Sequence, residues 1–112
     1  MSGWFVYLIR TKRDTLYTGV TRDVERRFEE HSSGGPKAAK ALRGRGPLSL
    51  EFQCAMRSKS DALKLEVEIK RWPKSRKEQL IRRGPPFLIE YLGEDYQGSL
   101  QENQYSPPLP DQ

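Results

Sequence analysis

Seven consecutive residues near the N-terminus, Trp4 to Arg10 (WFVYLIR), restrict the fold more than any other feature. Apolar side chains fill both alternating positions, whereas a strand with one wet face would alternate apolar and polar. Such a strand needs cover on both sides and belongs in the middle of a sheet. The polar turn Lys12-Arg13-Asp14-Thr15 follows, then a second short strand, Leu16 to Val20 (LYTGV). So brief a connection makes the pair an antiparallel hairpin.

The rest of the chain must supply the two covering layers. Asp23 is placed to cap a helix running to about Ser33, which Gly34-Gly35-Pro36 ends. A short helical or irregular piece, Lys37 to Arg43, leads into the loop Gly44-Arg45-Gly46-Pro47. In LSLEFQCAM, Leu48, Leu50, Phe52, Cys54 and Met56 alternate with Ser49, Glu51, Gln53 and Ala55. This predicts a strand with one buried face, at the sheet edge. Ser58 and Asp61 form a helix-start signature, and the helix behind them runs to Trp72, where Pro73 stops it. Ser75 and Glu78 repeat the signature for a shorter helix ending near Gly84. After Pro85-Pro86, Phe87 to Leu92 can pack back onto the domain. Beyond about residue 93 the chain is rich in Gln, Ser, Pro and acids, and disorder is expected. There, Pro107-Pro108-Leu109-Pro110 can adopt polyproline II and dock on a partner, although a solvated tail is the simpler reading.

Charge divides the chain at the same place. Residues 1–83 hold all 20 Lys and Arg against 10 Asp and Glu, whereas residues 84–112 hold five acids and no Lys or Arg. The organisation is therefore a basic domain over 1–84 and an acidic segment over 85–112. A basic domain of this size points to a polyanion, most often nucleic acid. A chain of 112 residues buries one modest core. Cys54 is the sole cysteine, so no intrachain disulfide forms and a reducing compartment fits. No apolar run approaches the ~20 residues of a membrane span. The first residues lack a basic stretch ahead of an apolar one. A cytoplasmic, membrane-free monomer is expected.

Three placements are unusual. On the first helix, Val24 and Phe28 mark the inner face, and Arg27 and His31, four apart, lie at its edge while Arg26 points away. An arginine along the core rim with its head in water is the plainer account. On the second long helix, Ala62, Leu65, Ile69 and Trp72 form an apolar stripe that Leu63 and Val67 extend. Glu66 falls inside this arc with Lys70 one turn on, whereas Glu68 points away. A carboxylate there costs several kcal/mol unless paired, hydrated or metal-bound. A Glu66–Lys70 helix pair is the plainer account. Tyr7 and Tyr17 sit on the hairpin strands, and Gly19 leaves space beside Tyr17. Core packing with satisfied hydroxyls explains an arbitrary tyrosine pair.

Taken together, these residues form an ordered set. Tyr7 ends Phe5-Val6-Tyr7, Tyr17-Thr18-Gly19 stands ten residues later, Arg27 and His31 follow, and Glu66 comes on the second helix. The set closely resembles the GIY-YIG nuclease family over about residues 3–83, in particular its small single-domain bacterial members. Phe5 stands where the family motif has its first Gly, and Thr18 where it has Ile, and neither supplies a chemical group.

The resemblance implies an α+β fold, a three-stranded antiparallel sheet flanked by helices. It also implies an endonuclease hydrolysing DNA phosphodiesters with one divalent ion, Mg²⁺ or Mn²⁺. Tyr7, Tyr17, Arg27, His31 and Glu66 are then the catalytic candidates, with Glu66 as the metal ligand. Arg27 would neutralise phosphoryl charge. Tyr7 would orient the attacking water and take its proton, given a nearby cation, while Tyr17 and His31 position phosphate and water. Arg13, Arg22, Lys37, Lys40, Arg43 and Arg45, near the hairpin and its following loops, are the candidate DNA contacts. Low sequence specificity and a role in DNA repair or structure-specific cleavage are expected. A nucleic-acid-binding module without cleavage is the competing reading.

Overall fold

Trp4–Arg10 forms the central strand, β1. Leu16–Thr21 (β2) and Ser49–Met56 (β3) pair with it antiparallel on either side, in the order β2-β1-β3. The computed structural model describes residues 3–101. The polyproline-type run 107–110 and the acids Glu102 and Asp111 lie outside the described residues. The helices are Val24–Ser33 (α1), Lys59–Lys70 (α2), Lys74–Arg83 (α3) and Pro86–Leu92 (α4), with 3₁₀ turns at Lys40–Leu42 and Glu94–Ser99. Among the described residues, no helix is long and apolar enough to cross a membrane.

The two-faced character of β1 appears as two cores. Val6 and Leu8 pack with Phe52, Cys54 and Met56 beneath Ala62, Leu65 and Ile69 of α2 and Leu80 of α3. Tyr7 and Ile9 point to the opposite face, into a smaller cluster with Val24 and Leu42, on which Phe5, Tyr17 and Phe28 pack. Asp23 caps α1 by accepting from the Arg26 N–H at 3.1 Å, and Ser58 caps α2 through the Asp61 N–H at 3.0 Å. Gly34, at φ 70°, closes α1 in the left-handed conformation that favours glycine.

Several expectations need correction. The alternation in β3 breaks at Glu51, because Leu8 pairs with Phe52 but Ile9 pairs with Leu50. The extra residue sends Leu48 and Leu50 to the Tyr7 side, while Phe52, Cys54 and Met56 face α2. On α2, Leu63 and Val67 do not extend the buried stripe but stand 43% and 50% exposed. Glu68 does not point away: it accepts from the Trp72 indole N–H at 3.2 Å. The packed unit also runs past residues 84 and 93, to 101. Phe87, Leu88 and Leu100 belong to the larger core. Arg57 N–H donates to Ser99 O at 3.0 Å and Gln101 N–H to Ala55 O at 3.1 Å, so the chain pairs with the outer edge of β3. Composition hid this because two apolar residues, Tyr96 and Leu100, are enough when a free strand edge offers backbone partners.

The Ser75–Glu78 signature does not cap α3, whose N-cap position is Pro73 with no side-chain bond. Glu78 instead takes a bidentate bond from Arg10, with both N···O distances at 2.7 Å, and a third bond from Lys74 at 2.8 Å. Arg10 also reaches Asp14 and Glu51. The Arg10 and Lys74 bonds hold the Glu78 carboxyl at about 2, against 4.5 for the free group. Its charged form therefore contributes stability fully above pH ~4.5, and this is lost as pH falls through about 2. With its side chain 21% exposed, solvent screening reduces the contribution to about 1–2 kcal/mol. Glu78→Gln should cost that much in denaturant unfolding at pH 7, and the gap to the parent should close towards pH 2. A gap that stays constant with pH would assign the loss to packing.

Candidate active site

Tyr7, Tyr17, Arg27 and His31 converge on the β2 side of the smaller core. Tyr7 stands opposite Gly19 in the β1–β2 ladder. A Cβ on Gly19 would lie 2.3 Å from Tyr7 Oη and 2.4 Å from Cζ, so the Tyr7 ring lies across the glycine. Gly19 is needed here for space. The Tyr7 hydroxyl thereby reaches His31 Nε2 at 2.9 Å, in a buried contact. The Tyr17 ring packs 6.3 Å from Tyr7 and meets His31 edge-on at 5.5 Å.

The histidine's proton can be located. Ala39 N–H donates to His31 Nδ1 at 3.1 Å. Nδ1 is thus an acceptor, the ring proton sits on Nε2, and Nε2–H donates to Tyr7 Oη. Burial, and then the nearby Arg27 charge, hold His31 below its ordinary value, so the imidazole is neutral at pH 7. Tyr7 is pushed up to about 12, by burial first and Tyr17 second, and the adjacent Arg27 only partly offsets this. The phenol keeps its proton at pH 7. Without a second cation, the Arg27 charge does not outweigh burial at Tyr7.

Arg27 lies against the sheet with its side chain 30% exposed, whereas that of Arg26 is 73% exposed. Glu30 accepts from Arg27 Nη1 at 2.9 Å and the Lys37 carbonyl does so at 2.7 Å. Glu66, on α2, lies within electrostatic range of the cluster. Its charge is felt at Tyr7, and its carboxylate, 19% exposed, lies 3.4 Å from Lys70 Nζ. Glu66 thus forms a helix ion pair, as its spacing from Lys70 suggested, and its charge is also felt at Tyr7. Among the described residues, no group of three or more His, Cys, Asp and Glu gathers as a metal cage.

The six basic candidates do not form one patch. Arg13, Lys37, Lys40 and Arg45 are exposed. Arg13 and Arg45 share the turn end of the hairpin, where Lys12 N–H donates to Arg45 O. Arg22 lies at the other end of β1, 5.7 Å over the Trp4 ring. Arg43 donates to Pro36 O and Ala38 O, so it clamps its own loop. An open groove of about 650 Å³ lined by Phe5, Phe28, Leu48 and Leu50, with Arg22 at its rim, adjoins the tyrosine cluster on the same sheet face. Sequence reasoning missed Glu30 and Ala39. Glu30 was accessible, being three residues after Arg27. The Ala39 backbone donor leaves no trace in residue type.

The description "GIY-YIG catalytic domain" matches residues 3–79. The chain belongs to the GIY-YIG family. Its core is therefore a nuclease-type catalytic domain whose substrate class is nucleic acid. Among relatives, a UPF0213 protein of Vibrio campbellii (strain ATCC BAA-1116) is 57% identical over 86 residues, 77% of this chain and 81% of that protein. The UPF0213 protein YhbQ of Escherichia coli O127:H6 (strain E2348/69 / EPEC) is 49% identical over 87 residues, 78% and 85% of the two chains. The UPF0213 protein BH0048 of Bacillus halodurans, solved in solution by NMR, is 42% identical, covering 75% of this chain and 88% of that one, with a TM-score of 0.47.

In this GIY-YIG domain the Gly19–Tyr7 contact yields a direct prediction. Gly19→Ala must displace the Tyr7 ring, because the other wall is strand backbone. The expected cost is about 1–3 kcal/mol of stability, as for other overpacked core positions. The Tyr7–His31 bond should break, seen as a changed His31 imidazole resonance by NMR. Unchanged His31 signals would mean that the ring adapts without moving its hydroxyl.

Proposed function

We propose that the chain is a divalent-metal-dependent DNA endonuclease of low sequence specificity, using one Mg²⁺ or Mn²⁺ with Glu66 as its protein ligand. The observation that carries this reading is the convergence of a phenol, a guanidinium and a neutral imidazole of defined tautomer, with a carboxylate in electrostatic range. Glu66 suits such an ion. Mg²⁺ keeps most of its waters and accepts one or two carboxylates, so a single, partly exposed carboxylate is an adequate anchor. Lys70, with its side chain 54% exposed, can swing into solvent and release it.

Each side chain has a role that its geometry supports. Arg27, braced by Glu30 and the Lys37 carbonyl, presents a fixed positive charge to the phosphoryl oxygens. His31 Nε2–H holds the Tyr7 oxygen in place and stabilises it if the phenol loses its proton. The Tyr7 hydroxyl proton is directed away from His31, towards a phosphate oxygen or the attacking water. Tyr17 packs beside both rings and keeps them oriented. When bound, the ion would supply the positive charge that Arg27 alone does not, lowering the barrier to the Tyr7 phenolate and stabilising the leaving oxygen. The exposed Arg13, Lys37, Lys40 and Arg45 read phosphates rather than bases, which supports low specificity. The setting we propose is cytoplasmic DNA repair or structure-specific cleavage.

The second reading, a binding module without cleavage, draws on the resting state: Glu66 is paired and Tyr7 is pushed up to about 12. The deciding experiment incubates the protein with duplex, single-stranded, flap and branched DNA and with RNA, in Mg²⁺, in Mn²⁺ or in chelator. Cutting of DNA only with metal is the expected result. Binding without cutting under every condition would favour the module.

A further inference from the structure

The exposed face of α2 beside Glu66 carries two adjacent aliphatic side chains among its lysines. Three large hydrophobic residues are exposed among those described: Leu63, Val67 and Tyr91. Tyr91 stacks on Phe87 and lies under Arg76, so its place is explained by packing. Leu63 and Val67 lie outside both core clusters. They stand one turn apart, roughly 6 Å between Cβ atoms. At about 100° per residue, Glu66, Leu63 and Val67 fall in that order around one side of the helix, from the sheet outwards. Lys59 and Lys70 fall between Glu66 and Leu63, one towards each end of the stripe; both are exposed, with Lys59 Nζ 5.2 Å over the Trp4 ring. Lys70 already approaches Glu66, which fixes this stripe next to the carboxylate.

We propose that Leu63 and Val67 form a base-contacting surface that selects DNA with unstacked nucleotides near the scissile phosphate. This rests on the reading of the site as a DNA-cleaving centre. The occupant follows from the chemistry of the stripe. Lys70 at one end and Lys59, over Trp4, at the other place positive charge beside two aliphatic side chains. This matches a nucleotide strand with phosphates at its edge and an apolar base face between them. A stacked duplex offers phosphates and groove edges but hides its base faces. A single strand, flap, gap or mispaired site exposes them, and contact with a base face is sequence-tolerant because every base has one. Scattered exposed hydrophobics are ordinary on protein surfaces. These two differ because they are adjacent and share a helix face with the proposed metal ligand and two lysines.

The test uses the full chain in chelator, so that binding is read without cleavage. The probes are a mixed-sequence single-stranded oligonucleotide, the same backbone carrying abasic sites at its centre, and the matching duplex. Fluorescence anisotropy should show the base-bearing single strand binding roughly fivefold more tightly than the abasic one. Leu63→Gln with Val67→Gln, both helix-compatible surface changes, should bring that ratio towards one while duplex and abasic affinities stay put. Leu63→Met with Val67→Ile should keep it. A ratio of one in the parent, or an unchanged ratio in the Gln variant, overturns the proposal even though DNA binding stands. Failure of the parent to bind any probe at low salt overturns the DNA reading as well. A concentration-dependent dimer in light scattering that the Gln variant abolishes would give the surface to a second copy, and that too overturns it.

Discussion

Replacing Glu66 by Gln is expected to abolish metal-dependent cleavage, by roughly 10²–10⁴-fold, while the protein stays folded. Gln keeps the volume and polarity of the side chain but removes the charge a divalent ion requires. The fold has little at stake. The Glu66–Lys70 pair is a half-buried helix pair worth a few tenths of a kcal/mol, and the Glu66 side chain is still partly in water. The substitution should also ease deprotonation of Tyr7 slightly, because the Glu66 charge is one of the influences raising that phenol. A lower Tyr7 titration together with lost cleavage would separate a metal role from a base-activating one. Arg27→Ala should remove turnover by a comparable factor, whereas Arg26→Ala should be nearly silent, since Arg26 is largely exposed. Full activity in Glu66→Gln with an unchanged circular dichroism spectrum would put the ion elsewhere. Equal effects of the two arginines would remove Arg27 from the chemistry.

Features written in local residue pattern were readable from the sequence, and features made by long-range partners were not. The apolar run in Trp4–Arg10 required cover on both faces, and β1 has it. Asp23 and Ser58 announced their helices because a cap acts within three residues. The phase of α1 separated Arg27 from Arg26 for the same reason. Ser75 and Glu78 carried the same local signature, yet Glu78 is taken by Arg10, 68 residues away, in a bidentate ion pair that no local pattern encodes. The Glu51 irregularity was invisible because it keeps the alternation of residue types while switching the face they point to. In the candidate site, residue types were legible and bonding was not. Tyr7 and His31 could be named, but the tautomer depends on a backbone N–H at Ala39.

The C-terminal segment tests how far long-range packing overrides composition. Truncation after Gly93 would delete Tyr96 and Leu100 together with the Ser99–Arg57 and Gln101–Ala55 backbone bonds. Leu100 is 3% exposed and sits in the larger core, so its loss alone should cost about 2–4 kcal/mol. Stability of a domain this size is about 5–15 kcal/mol in total. The shortened protein should therefore melt at least ~10 °C lower. It should also aggregate more readily, because the truncation uncovers the edge of β3. This changes how an electrostatic role for the acidic segment must be tested. An acidic segment next to a basic domain could compete with DNA phosphates for the same cations, but cutting at Gly93 cannot test this, since the cut would damage the core. Glu94 and Asp95 belong to the packed 3₁₀ turn, and only Glu102 and Asp111 follow Gln101. Truncation after Gln101 is the clean variant. It should melt like the full chain and bind DNA at most slightly more tightly at low salt, because it sheds two acids rather than four. If the Gly93 truncation melted with the full chain, the pairing of residues 99–101 with β3 would contribute nothing to stability. The packed unit would then end at α4.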